Sequence, residues 1–216
     1  MRATWIALAG ALVIGAAVEP SFVPARLTAA PAFEQPTQTV GGGQVLLEAT
    51  VGTDGVVTRV DRLRVTPPFG DLLADAVSGW RFAPATHEVG GRRASVETHV
   101  LVAGVFRPPA LYLGSNIGEV PQTTGAASAQ VPSPHELLAP PYSPNARGSA
   151  VVILEAEVGA DGSTRGIRVV QSGGAFDDAA RQALDSWSFD PARRDDEGRV
   201  PSYVYAVFGF REPIVK

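Results

Sequence analysis

The chain of 216 residues contains no cysteine. That excludes disulfides, thiolate zinc sites, cysteine-ligated iron–sulfur clusters and a thiol nucleophile. Histidine is scarce, with only His87, His99 and His135. Positive charge is not in excess: 18 Lys and Arg stand against 22 Asp and Glu, for a net charge of -4. With a sequence pI of about 5.4, no basic surface points to nucleic acid. No apolar run reaches the roughly 20 residues of a membrane-spanning helix. What is present is 45% hydrophobic and 19% charged, too apolar and too weakly charged for disorder throughout. The 23 Gly and 18 Pro imply many turns and at least one linker.

The longest apolar run, Trp5 to Val18, follows Arg2 and is ended by Glu19 and Pro20. Its length is that of a signal-peptide core. Small residues suited to cleavage occur at Gly15-Ala16-Ala17 and at Val23-Pro24-Ala25. Residues 1–25 are therefore read as a signal peptide, with an uncleaved inner-membrane anchor as the alternative.

The most informative feature is an internal repeat. Val51-Gly52-Thr53-Asp54-Gly55 recurs as Val158-Gly159-Ala160-Asp161-Gly162, and Trp80-Arg81-Phe82-Ala83-Pro84-Ala85 as Trp187-Ser188-Phe189-Asp190-Pro191-Ala192. Both matches share one offset, and roughly fifteen of about forty positions between Val45 and Ala85 are identical to their counterparts. After a short deletion the copies return to register at Val105-Phe106-Arg107-Pro108 and Gly209-Phe210-Arg211-Glu212.

Each copy yields the same elements. Val45, Leu47, Ala49 and Val51 alternate along a strand, as do Val152, Leu154, Ala156 and Val158. Asp54-Gly55 and Asp161-Gly162 are hairpin turns, and second strands run through Val60–Val65 and Ile167–Val170. Phe69, Leu72, Leu73, Ala76, Val77 and Trp80 then fall at helical spacing, matched by Phe176, Ala180, Ala183, Leu184 and Trp187. Pro84 and Pro191 stop the helices, and last strands cover Val96–Phe106 and Ser202–Phe210. The fold class is α+β: two tandem ββαβ units, each a small antiparallel sheet with a packed helix. The expected organisation is a linker at 26–40, a first unit at 41–108, a linker at 109–135 and a second unit at 136–216, the two units folding independently.

A strand ending in Asp-Gly, a second strand, Trp-x-Phe-x-Pro-Ala after a helix and a strand ending in Phe together resemble the C-terminal domain of TonB. The second copy adds Pro140-Pro141-Tyr142-Ser143-Pro144-Asn145-Ala146, similar to that family's Pro-x-Tyr-Pro-x-x-Ala opening. The first copy has Val40-Gly41-Gly42-Gly43 instead. The resemblance implies a non-catalytic periplasmic or cell-envelope domain without cofactors. It implies a protein or peptide partner, such as an outer-membrane receptor, captured as an added strand during energy-dependent transport. Ser202, Tyr203, Val204, Tyr205, Ala206 and Val207 are nominated as that partner-binding edge; a strand protected or paired in a homodimer is the other reading. A periplasmic scaffold that self-associates through the duplicated domain is the alternative function. The apolar run has no His, Asp or Glu of the kind a full transducer carries.

No other site stands out. Gly41-Gly42-Gly43 lacks the context of a phosphate loop. His87 and His99 have no third ligand spaced for a metal, Asp195-Asp196-Glu197-Gly198 reads as a solvated turn, and no Ser–His–Asp arrangement is readable.

Overall fold

The computed structural model describes residues 21–36, 41–109, 121–195 and 197–212. The apolar run read as an export segment lies outside them, as do parts of both expected linkers.

Two short strands come first, β1 (Phe22–Val23) and β2 (Arg26–Ala29). The first half runs β3 (Gly43–Val51), β4 (Val57–Val65), helix α1 (Phe69–Ser78), β5 (Arg81–Ala83), the hairpin β6 (Ala85–Val89) and β7 (Arg92–Val96), and β8 (Thr98–Phe106). A connecting segment contributes β9 (Gln122–Thr123) and β10 (Ser133–Pro134). The second half follows the same order: β11 (Ala150–Val158), β12 (Thr164–Gln171), α2 (Asp177–Asp185), β13 (Phe189–Asp190), β14 (Arg193–Arg194), β15 (Gly198–Arg199) and β16 (Ser202–Phe210).

The two repeated motifs meet in space. Gly55 turns at φ +79 and Gly162 at φ +84, conformations that suit glycine. A Cβ at either position would collide with the carbonyl oxygen of Phe82 or Phe189. The approach is close because the Phe82 N–H donates to Gly55 O at 2.8 Å and the Phe189 N–H to Gly162 O at 3.2 Å. Asp-Gly and Trp-x-Phe are thus the two sides of one contact, which brings the end of each helix back to the hairpin turn.

Instead of two small separate sheets, the halves share one. Its order is β12-β11-β16-β8-β3-β4-β9. The seam is a parallel pairing of the two last strands, from Val204 opposite Leu101 to Gly209 opposite Phe106. The physical reason is that each half alone leaves a long row of unpaired N–H and C=O groups on its last strand, and joining them satisfies both rows at once.

The parallel seam also puts the helices on opposite faces. Phe69, Leu73, Val77 and Trp80 of the α1 side join Val45, Leu47, Ala49 and Val102, and continue to Ile153, Tyr205 and Val207 of the second half. Phe176, Ala180, Leu184 and Trp187 of the α2 side join Leu154, Ala156, Ala206 and Phe208, and continue to Leu46, Leu101 and Ala103 of the first half. Each core therefore contains side chains from both halves, and the expected independence of residues 41–108 and 136–216 has no counterpart in the packing.

The sheet faces left bare by the helices are covered by two segments that take in parts of the expected linkers and of their neighbours, the expected signal peptide and the expected second unit. Phe22, Ala25, Leu27 and Phe33 are buried in the α1-side core, where Leu27 and Phe33 bond to Tyr205 and Gln171 of the second half. Val131, Leu137 and Ala146 are buried in the α2-side core, and Gln44 of the first half donates to Leu137 O. The two straps are equivalent: Leu27 lies opposite Phe82 and Pro134 opposite Phe189, each pair offset by the same 107 residues that relate the halves. Residues 26–36 and 121–135 are thus parts of the fold rather than spacers. Ser21–Ala25 also belong to it, so a cut after Ala25 would remove the buried Phe22, whereas one after Ala17 would spare it.

Candidate partner-binding interface

The nominated residues Ser202–Val207 all lie on β16, but that strand is internal. Antiparallel β11 pairs along one side from Ser202 to Phe210, and β8 pairs along the other from Val204. Val204, Tyr205, Ala206 and Val207 are fully buried, Ser202 is buried and Tyr203 is half-buried. The edge expected from the sequence is consumed by the chain's own other half. The error lies in treating each unit alone, where β16 would indeed be terminal.

Tyr205 shows how tightly this place is built. Its ring lies 5.6 Å from both Trp80 and Phe82, edge-on to each. Its hydroxyl accepts the Leu27 N–H at 2.9 Å and donates to Glu155 Oε2 at 3.3 Å. Burial, reinforced by the Glu155 charge, pushes that hydroxyl far above its ordinary pKa. Glu155 on β11 is 1% exposed. It is held by Arg168 at 2.7 Å and by Arg26 at 3.0 Å. Burial opposes its ionisation, but the hydrogen bonds from Arg168 and then Arg26 prevail and keep the carboxyl below its usual range. Arg26 also sits 5.6 Å over the Tyr203 ring. The first strap is therefore tied to β11 and β16 by charge as well as by packing. It is also tied by paired amides, since the Phe33 N–H donates to Gln171 Oε1 at 3.0 Å and Gln171 Nε2 to Phe33 O at 3.1 Å.

An equivalent glutamate, Glu48 on β3, anchors the second strap. It pairs with His99 Nδ1 at 2.8 Å and accepts the Ser128 N–H at 2.8 Å. An open depression of about 410 Å³ adjoins this pair and is lined also by Arg59, Asp61, Leu63 and Thr124. Burial works against the Glu48 charge, yet the bonds from His99 and Ser128 hold its carboxyl below the usual range. The bond to Glu48 raises His99 against the opposing effect of burial. A raised imidazole contributes stability in full below its ordinary value of 6.5 and loses it as pH climbs through the folded value. Lowered Glu48 contributes above 4.5 and loses it as pH falls through its folded value. The pair is thus fully effective between these two ordinary values. His99→Gln should destabilise the chain by about 1–2 kcal/mol near the middle of that window. The difference should shrink in urea titrations made at progressively alkaline pH.

The other histidines go elsewhere. His87 pairs with Glu197 at 3.0 Å and His135 with Asp190 at 3.3 Å, so His87 and His99 do not converge. Among the described residues no three His, Asp or Glu side chains assemble a metal-binding group.

The remaining main-sheet edges are poorly suited to strand capture. β4 is capped by β9 at Arg64 and Val65 and has two register shifts against β3. β12 also has two shifts against β11, and Gly166 within it turns to φ +56. Bulges of this kind twist an edge away from added strands.

Residues 139–210 match the family model for the Gram-negative bacterial TonB protein C-terminal domain. The match runs from the Tyr142 opening to the end of β16. Tyr142 there stands edge-on to Phe176 at 5.1 Å and donates to Gly148 O at 2.9 Å. Domains of this family are interaction modules rather than catalysts. No curated protein matches the chain.

Proposed function

We propose that this chain is a non-catalytic, TonB-like protein of the cell envelope that binds a protein partner and serves transport across the outer membrane. The observation that carries this reading is the family match over residues 139–210. The first half is read as a second, diverged copy of the same domain, supported by its matching element order and constant offset. The apolar run before Glu19 supports export to the periplasm. No helix of the described residues is long and apolar enough to cross a membrane.

The interior position of β16 sets a condition on partner capture. A receptor segment reaches Ser202–Val207 only by replacing a paired neighbour, β11 or, at the seam between the halves, β8; the seam is the proposed point of exchange, a strand exchange rather than a simple addition. Ala103 and Ala206 face each other across that seam, and the chain is free of cysteine. Cross-linking in intact envelopes should join the parent chain to an outer-membrane protein. In Ala103→Cys/Ala206→Cys, oxidation to a seam disulfide should abolish that adduct, and reduction should restore it. Recovery of self-adducts alone would favour the scaffold reading. An adduct unaffected by the locked seam would place the partner site away from β16.

A further inference from the structure

The two halves differ most at the hairpin β6–β7, which pairs over five consecutive residues without a register shift, whereas its counterpart β14–β15 pairs over two. Gly90 and Gly91 turn at φ +61 and +75, the left-handed pair that a tight two-residue hairpin requires. Val89 and Arg92 flank that turn as its closing hydrogen-bonded pair. Backbone direction alternates from there, so Arg93 and Ser95 aim their N–H and C=O groups away from β6, and Glu97 directly follows the last residue of β7. Beyond β6 lies β1, but no described strand lies beyond β7. Arg92, Arg93, Ala94, Ser95 and Glu97 are all exposed. Unlike β4 and β12, this edge is regular, uncapped and free of bulges.

The outward residues read cation, neutral, anion. That sequence is its own complement when reversed. An antiparallel pairing about a two-fold axis through Ser95 sets Arg93 opposite the Glu97 of a second copy, twice by symmetry. Arg93 already has Glu88 at 3.6 Å on its own hairpin, so it would lie between two carboxylates. Like charges would face each other if the axis moved to Arg93, so charge selects the register.

We infer that β7 is a self-association edge, through which two copies of this chain join their small sheets into one six-stranded sheet running β1-β6-β7 and back. This surface is separate from the seam and does not depend on the receptor-binding reading. The self-complementary charge pattern commits the edge to a second copy rather than to a foreign peptide.

The absence of cysteine makes the test direct. Ser95→Cys in the full chain introduces a single thiol on the two-fold axis. Opposed residues of a hydrogen-bonded antiparallel pair have Cα atoms about 5.5 Å apart, within disulfide range. Mild oxidation should yield a covalent dimer. Adding Arg93→Glu or Glu97→Arg to Ser95→Cys should cut its yield by about tenfold, and combining both reversals should restore it. Thermal melts of every variant should stay close to the parent, because Arg93, Ser95, Glu97 and Arg165 are exposed residues and a surface ion pair such as Arg93–Glu88 contributes little. An Arg165→Cys control, exposed on β12, should remain monomeric. The inference is overturned if Ser95→Cys stays monomeric, if Arg165→Cys dimerises as readily, if charge reversal has no effect, or if the thiol couples to a different protein instead.

Discussion

Residues 136–216 expressed alone should not form a cooperatively unfolding monomer. The isolated segment loses Phe22, Leu27 and Phe33 from its α1 face, all 5% exposed in the whole chain. At about 1.5–3 kcal/mol for each large apolar side chain, that loss is comparable to the roughly 5–15 kcal/mol of net stability of a typical domain. It also strips Arg26 from Glu155, the Leu27 N–H from the Tyr205 hydroxyl, and β8 from the open side of β16. Circular dichroism melts with light scattering provide the measurement. The expected result is a broad, non-cooperative transition with association, in which a second copy covers the exposed β16. A sharp, concentration-independent melt of a monomer would show that the halves are separable after all.

The second large effect concerns the buried carboxylate. Arg26→Met/Arg168→Met should cost about 3–5 kcal/mol, the penalty for leaving a buried charge without its partners. Glu155→Leu removes the charge itself and should cost less, about 1–2 kcal/mol, chiefly for the Tyr205 O–H that loses its acceptor. The two differ in pH dependence as well. In the parent, Glu155 lies below its ordinary value of 4.5, so its contribution is present above that value and lost as pH falls through the folded one. In the double variant only the long bond from the Tyr205 hydroxyl still opposes burial, and burial raises the carboxyl above its ordinary value. Stability should then improve on mild acidification, relative to the parent. Denaturant midpoints across the acidic range would reveal this crossing; parallel curves for parent and double variant would mean that the arginines do not hold the charge.

Both effects arise where sequence reading reached its limit. The repeat, the paired Asp-Gly turns, the two helices and the long strands were legible because each is written in local residue chemistry. Alternating apolar residues mark β3 and β11, a helical stripe ending in tryptophan marks α1 and α2, and the positive-φ glycines mark the turns. Glu48 and Glu155 occupy equivalent positions of the repeat, where the strand alternation sets them opposite the apolar face. Their burial follows from the straps, which no strand pattern announces.

The straps escaped detection for a definite reason. Between residues 21–36 and 128–143, only Ser21 with Ser128 and Ala32 with Ala139 are identical at the common offset. What the two segments share is backbone pairing, Arg26–Leu27 with Phe82–Ala83 and Ser133–Pro134 with Phe189–Asp190. Backbone pairing leaves little trace in side-chain identity. Their apolar anchors, Phe22, Leu27 and Phe33 in one and Val131 and Leu137 in the other, are too sparse among Pro, Ala, Ser and Gly to form a period.

The sequence by itself determined the elements, their order and the kinship of the second half, because turns, helices and alternating strands depend on neighbours a few residues apart. Only the tertiary structure decided which edges remain open. Edge status depends on what lies beside a strand across a hundred residues of chain, and here β8 and β16 satisfy each other. That pairing turned the expected binding edge into the centre of the sheet, placed the helices on opposite faces, and left the short β7 as the regular edge still facing solvent.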